Sequence, residues 1–238
     1  MRGTHCVRPA EVNLRFSHKM NLNVLLITGG HDFDRDAFFA MWRELDGVTF
    51  QNVQYPEAES FFTTDRAKQF DAFVFYDFAQ TMSAGAKNDL LQLLKQGKGL
   101  VFLHHSIHGH EDWPEYPRIV GGAWVAGKRT IDGRVFAPSQ YFPNQHITVQ
   151  IAREPHPVTQ GLQDFEMVEE TYKSVYVNPG ATPLLTTTHP NSEHVIGWAH
   201  RYEQSRVVGL QPGHGATAFN DPNYRRLVRQ AIQWVSGN

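Results

Sequence analysis

Four histidines fall within seven positions of the stretch VFLHHSIHGHEDWPEY (residues 101–116): His104, His105, His108 and His110. Imidazole titrates near neutrality and ligates metals, so the cluster suits proton transfer or metal binding. Neighbouring residues on an extended segment point to opposite sides. One of His104 and His105 is therefore expected to face a ligand while the other packs or bonds to backbone. His108 and His110 flank a glycine without helical spacing and read as loop. A divalent metal held by His104 or His105 would need further ligands from elsewhere in the chain, with Glu170 and His214 as candidates.

His214 stands between Gly213 and Gly215 at the end of VVGLQPGHG, with Gln211 beside it. Packing explains a histidine between two glycines poorly, so His214 ranks with His104 and His105 as a site candidate. Glu169 and Glu170 adjoin Tyr172 in FEMVEETYKSVY. Adjacent carboxylates in an apolar setting invite one raised pKa, the tuning that general acid or base work at neutral pH requires. The same pair reads equally well as an exposed acidic edge. In TGGHDFD, His31 and Asp32 offer polar groups beside a helix start; the alternative is a turn in which an aspartate caps that helix. The spacing G-x-G-x-x-G is not met, which excludes the dinucleotide fingerprint. Trp113, Glu115 and Tyr116 in DWPEY begin a short helix and offer either a sugar-stacking wall or an ordinary piece of core.

The elements that would position these residues follow from periodicity. NVLLITG, AFVFYDF and GLVFLHH are short continuous apolar runs, the pattern of strands buried on both faces, and VTFQNVQ reads as a further strand. DRDAFFAMWRELDG repeats Ala37, Phe38, Met41, Trp42 and Leu45 at helical spacing, and SAGAKNDLLQLLKQG does so with Leu90, Leu91, Leu93 and Leu94. Strands alternating with amphipathic helices imply a doubly wound, mostly parallel sheet covered on both faces. After residue 120 the chain turns to strands, HITVQIA, TPLLTTT, HVIGWAH and RVVGLQ, before a terminal helix in DPNYRRLVRQAIQWVSG. In open α/β sheets ligands bind beyond the carboxyl ends of the strands. His31, His104, His105 and His214 all fall at such ends.

The chain has 238 residues, 41% hydrophobic, with a net charge of −2. It lacks the basic surplus that nucleic acid binding uses, so nucleic acid is excluded as an expected partner. No apolar stretch reaches the roughly 20 residues that span a membrane, and the polar start has no hydrophobic signal region; a cytoplasmic protein is expected. Residues 1–20 read as a disordered tail and residues 21–238 as one domain, with a homo-oligomer left open. The one cysteine, Cys6, lies in that tail, so the folded region carries no thiol nucleophile.

The motifs VLLITGGHDFD, GKGLVFLHHSIHG, WPEYPRIVGGAW, HPVTQGL, FEMVEETYKSVYV, LLTTTHP and GHGATAFNDPNYRRLVRQAIQW, in this order over about residues 22–236, resemble the trehalose-utilisation (ThuA-like) family. The resemblance implies a flavodoxin-like fold similar to class I glutamine amidotransferases, in which a Cys nucleophile stands on the turn after a central strand. The corresponding turn here, LHHSIHG, has no cysteine, which disfavours glutamine hydrolysis through a thioester. The resemblance further implies catabolism of a small-molecule carbohydrate, a disaccharide or an oxidised (3-keto) glycoside, by a lyase, isomerase or hydrolase. On this reading His104, His105 or His214 acts as base, Glu169 or Glu170 as acid partner or orienter, and a divalent metal is the one cofactor considered, polarising a carbonyl. His31, Asp32, Trp113, Glu115, Tyr116, Tyr172 and Gln211 would contact the sugar. The alternatives are a non-catalytic sugar-binding or regulatory module and a Ser/His-dependent hydrolase using Ser106.

Overall fold

A computed structural model describes residues 21–237, so the expected tail lies outside the described residues. The first half alternates strand and helix: β1 (Leu22–Gly29), α1 (Arg35–Glu44), β2 (Val48–Gln54), α2 (Thr64–Ala67), β3 (Ala72–Asp77), α3 (Ala84–Lys95) and β4 (Gly99–Leu103). A 3-10 turn, His104–His108, and α4 (Tyr116–Val120) follow. The chain then forms β5 (Gly122–Ala123), a hairpin of β6 (Arg129–Ile131) and β7 (Arg134–Phe136), β8 (Gln140–Ile151), β9 (Phe165–Lys173), β10 (Tyr176–Val177), β11 (Thr182–Thr186), β12 (Val195–Tyr202) and β13 (Ser205–Leu210). It closes with α5 (Ala216–Phe219) and α6 (Pro222–Val235).

Nine strands form one sheet in the order β2-β1-β3-β4-β13-β12-β11-β8-β9. The pairs β1–β2, β1–β3, β3–β4 and β4–β13 are parallel, while β12–β13, β11–β12, β8–β11 and β8–β9 are antiparallel. The sheet is thus mixed, parallel from β2 to β13 and antiparallel from β13 to β9. Crossover helices join only the early strands, whereas those after residue 120 return through turns and loops that permit antiparallel pairing.

Both faces of the parallel half are apolar. In β1, Val24 and Leu26 pack with Phe38, Met41 and Trp42 of α1 and Leu227 of α6, whereas Leu25 and Ile27 pack with Leu90, Leu93 and Leu94 of α3. This two-sided burial is why the strand reads as an unbroken apolar run, and each such Leu, Ile or Phe contributes about 1.5–3 kcal/mol. Leu91 is only partly buried at the edge of the α3 stripe. Local signals set the helix starts: Asp34 accepts from Ala37 N (3.0 Å), and Asp221 accepts from Asn223 N (2.8 Å) and Tyr224 N (2.9 Å) ahead of Pro222. No described helix is long and apolar enough to cross a membrane.

Because β1, β3, β4 and β13 run the same way, the loops leaving their carboxyl ends meet at one edge. At Gly30 (φ +79°) a Cβ would lie 2.7 Å from the Phe78 backbone C and O. Glycine there lets the loop after β1 lie directly on the loop after β3.

Candidate functional site

The apolar strand β4 delivers His104 into this edge, but not on an extended segment. His104 begins the 3-10 turn at φ +48°, a backbone region that costs a non-glycine residue about 1–3 kcal/mol. The turn lets both neighbouring histidines reach the cavity, which corrects the expectation that only one of them would. A buried imidazole stands on this turn, where no cysteine is present.

The hydrogen bonds of His104 assign its tautomer. Nδ1 lies 2.7 Å from the Gln211 backbone oxygen, which can only accept, so Nδ1 carries the proton. In the neutral ring Nε2 keeps the lone pair; Tyr172 Oη lies 2.8 Å from it, and His214 Nδ1 and Glu170 Oε1 lie 3.1 and 3.4 Å away. Glu170 Oε1 is 3.6 Å from His214 Nδ1, so three donor atoms from the turn after β4, from β9 and from the loop after β13 converge. Burial works against the Glu170 carboxylate, yet a protonated His104, which would donate to it, and the His104 and His214 charges hold its pKa below the usual range. Desolvation and the neighbouring His104 push His214 down from 6.5, despite the opposing pull of Glu170. At neutral pH the site therefore holds an ionised carboxylate and an unprotonated His214.

Glu169 does something different. Side chains alternate along β9, so it points away from the cavity. Its Oε2 accepts from Gly213 N (2.8 Å), and its Oε1 from His214 N (3.0 Å) and Glu170 N (2.8 Å). Burial pushes its carboxyl up, opposed by His104 and these amides. With both oxygens occupied, Glu169 is a positioning residue that holds the His214 loop against β9. The adjacent carboxylates do not share a proton on one face; Glu170 alone faces the ligand.

The cavity above the three donor atoms has a volume of about 330 Å³ and is lined on its polar side by His31, His104, His105, Glu170 and His214. His105 is sandwiched between His31 (4.8 Å, stacked) and Tyr76 (4.4 Å). Desolvation, with His104 and His31 adding to it, lowers its pKa to about 2, so it stays neutral. Phe78, His108, Trp124, Tyr141 and Tyr172 supply the remaining wall. Of these, only Tyr172 was expected as a sugar contact. Phe78 directly follows β3, so the strand-end rule itself pointed to it; Trp124 and Tyr141 arrive through pairing of later segments and carry no such signal.

Several expected contacts lie elsewhere. Trp113 and Tyr116 are buried in the core against Phe102 and Ile107, because α4 turns its apolar face to the sheet. They are not a stacking wall. Glu115 accepts from Tyr202 Oη (2.7 Å) and pairs with Arg118, away from the cavity. Asp32 is exposed and does not line the cavity, and Gln211 contributes its backbone oxygen while its side chain is buried outside the lining. His110 lies in the loop after the 3-10 turn, as expected, but it is fully buried, with Nε2 3.9 Å from Asp77 Oδ2. Ser106 is fully buried and its Oγ donates to Leu103 O at 2.9 Å. A hydroxyl so placed reaches no substrate, which removes the serine hydrolase reading. Ser106→Ala is expected to leave catalytic rates within about twofold of wild type, and a fluorophosphonate probe to leave the protein unlabelled. Stoichiometric labelling seen by mass spectrometry would contradict this.

Fold and site together define an α/β protein with a His–Glu–His centre at the carboxyl edge of its parallel strands and no cysteine on the turn after β4. The chain matches the ThuA family model, described as trehalose utilisation, over residues 23–235, and it belongs to that family. Among solved structures it is similar to a ThuA-like protein of Parabacteroides merdae ATCC 43184 (TM-score 0.74, 17% identity, 91% of this chain and 90% of that one). A ThuA-like protein of Bacteroides uniformis ATCC 8492 gives a TM-score of 0.66 at 19% identity, covering 92% and 93%. A cytoplasmic protein of Salmonella typhimurium LT2 gives 0.64 at 11% identity, covering 89% and 99%. These identities speak for the fold alone. A comparison with curated proteins gives no match.

Proposed function

We propose that the chain is a sugar-processing enzyme that acts on an uncharged glycoside, including an oxidised (3-keto) one, by proton transfer next to a carbonyl. The observation that carries this reading is the convergence of His104 Nε2, Glu170 Oε1 and His214 Nδ1 at the floor of the cavity. Glu170 and His214 are in their proton-accepting forms at neutral pH, and the half-exposed His214 is the base with access to a ligand. Among the described residues no lysine or arginine lines the cavity. A phosphorylated or carboxylated sugar would meet the Glu170 charge without a compensating cation, which favours a neutral substrate.

The donor set also fits a divalent first-row metal. Two imidazoles and one carboxylate are a common ligand set, and the His104 Nδ1–H bond to Gln211 O fixes the ring as such ligands require. Bound there by His104, Glu170 and His214, a metal would polarise a substrate carbonyl. The order β2-β1-β3-β4-β13 supports a flavodoxin-like winding for the parallel half. We place the protein in the cytoplasm, as the Salmonella relative is described.

The reading is tested by following 3-keto-glycosides by NMR with the purified protein, with and without chelator, alongside His214→Ala. Turnover that falls at least about 100-fold in His214→Ala is expected. No turnover on a broad panel, or unchanged rates in the variant, would remove it. The pH profile adds a second check. Since the folded pKa of His214 is depressed below 6.5, the base stays active as pH falls through 6.5. The acid limb of kcat/KM is expected below pH 6.5; a limb above it would contradict the assignment.

A further inference from the structure

Outward from the polar floor the cavity wall becomes aromatic, and the rings follow one another in contact. His31 meets Phe78 (5.7 Å), Phe78 meets His108 (4.6 Å), His108 meets Trp124 (5.0 Å), and Trp124 meets Tyr172 edge-on (5.1 Å). Tyr172 stands directly opposite Tyr141 in the β8–β9 register, which puts the two side chains on one face of the pair. Tyr141 therefore continues the wall past Trp124, at a ring separation of 6.4 Å and 43°, out to the mouth. The Trp124 backbone is anchored by its N–H to Ile107 O at 3.0 Å.

Tyr141 is 62% exposed, and Tyr141 and Val135 are the two exposed large hydrophobic residues among the described ones. Everywhere else in the described chain large apolar side chains are at least partly covered, so an open tyrosine beside a tryptophan at the rim of a cavity is an unfilled apolar surface. The floor of the cavity holds the reacting ring over His104, Glu170 and His214, while Trp124 and the exposed Tyr141 line the same cavity farther from them. We propose that Trp124 and Tyr141 form an outer subsite that stacks on the flat apolar face of the group joined to the reacting sugar, and so set which glycosides are taken. This inference rests on the sugar-processing reading. The flat face can be that of a second pyranose or of an aromatic aglycone. Both present the C–H or ring surface that aromatic side chains bind, and the phenolic hydroxyl of Tyr141 stays free to hydrogen-bond at the wet end.

The test measures dissociation constants by calorimetry for three probes, methyl β-glucoside, cellobiose and phenyl β-glucoside, against wild type, Tyr141→Ala and Trp124→Ala. Turnover of their 3-keto forms is followed separately. Tyr141→Ala is expected to unfold at the wild-type temperature, since its ring is mostly in water. It should weaken cellobiose and phenyl β-glucoside about tenfold while leaving methyl β-glucoside within about twofold. Weakening of cellobiose alone would assign the subsite to a second sugar, and of phenyl β-glucoside alone to an aromatic aglycone. Equal weakening of all three probes, or of none, would overturn the proposal. Wild-type binding with this pattern but no turnover of the keto forms would remove the catalytic reading and leave the subsite standing. Absence of wild-type binding to every probe would overturn both.

Discussion

Glu170→Gln is expected to keep the fold and to lose about 10²- to 10⁴-fold in kcat/KM, the range that removal of an acid/base group produces. The substitution preserves shape, so packing at this partly buried position is unchanged. What it removes is the negative charge that faces His104 Nε2 at 3.4 Å and His214 Nδ1 at 3.6 Å. Without it, an imidazolium formed when His214 takes a proton loses its counter-charge, and any metal held at the site loses its anionic ligand. Thermal unfolding should match wild type within a few degrees while initial rates collapse. A variant that retains more than about a tenth of the wild-type rate would take Glu170 out of the reacting centre.

The neighbouring position should fail for another reason. Glu169→Ala is expected to destabilise the protein by about 3 kcal/mol or more, because three backbone N–H groups, those of Gly213, His214 and Glu170, lose their acceptor at once. Each buried donor left unpaired costs about 1–3 kcal/mol unless water reaches it. For a chain of this size that corresponds to a fall in Tm of roughly 10 °C. The loop that carries His214 would also lose its tether to β9, so the remaining activity should fall with it. Denaturant unfolding reads the first effect, and an unchanged midpoint would show that other contacts, such as the Tyr76 Oη bond to Gly213 O, hold this loop.

The contrast between these adjacent carboxylates shows where sequence reading stops. Their types and apolar setting are visible, and so is the position of His104, His105, His31 and His214 at strand ends. The strands and helices of the first hundred residues follow from apolar runs and periodicity, since burial on two faces leaves a distinct pattern. Which of Glu169 and Glu170 faces the cavity depends on how β9 pairs with β8, a contact between segments that no local signal encodes. The same limit hides Tyr141, whose partner Tyr172 lies 31 positions away in the register. His104 at positive φ, the inward turn of Ser106 and the burial of His110 belong to a short non-periodic turn, where neither helical nor strand spacing reports which side is covered. Trp113 and Tyr116 mislead because aromatic residues serve core and binding wall equally well, and only α4 packing against the sheet decides between them.

The central claim is that a proton is taken from the carbon beside a sugar carbonyl at the His104–Glu170–His214 centre. It is tested most directly by deuterium exchange in heavy water, with a 3-keto-glycoside followed by NMR in wild type and in Glu170→Gln. Enzyme-dependent deuterium uptake at the carbon next to the carbonyl is expected in wild type, and uptake at the uncatalysed rate in the variant. Equal uptake in both proteins would contradict it.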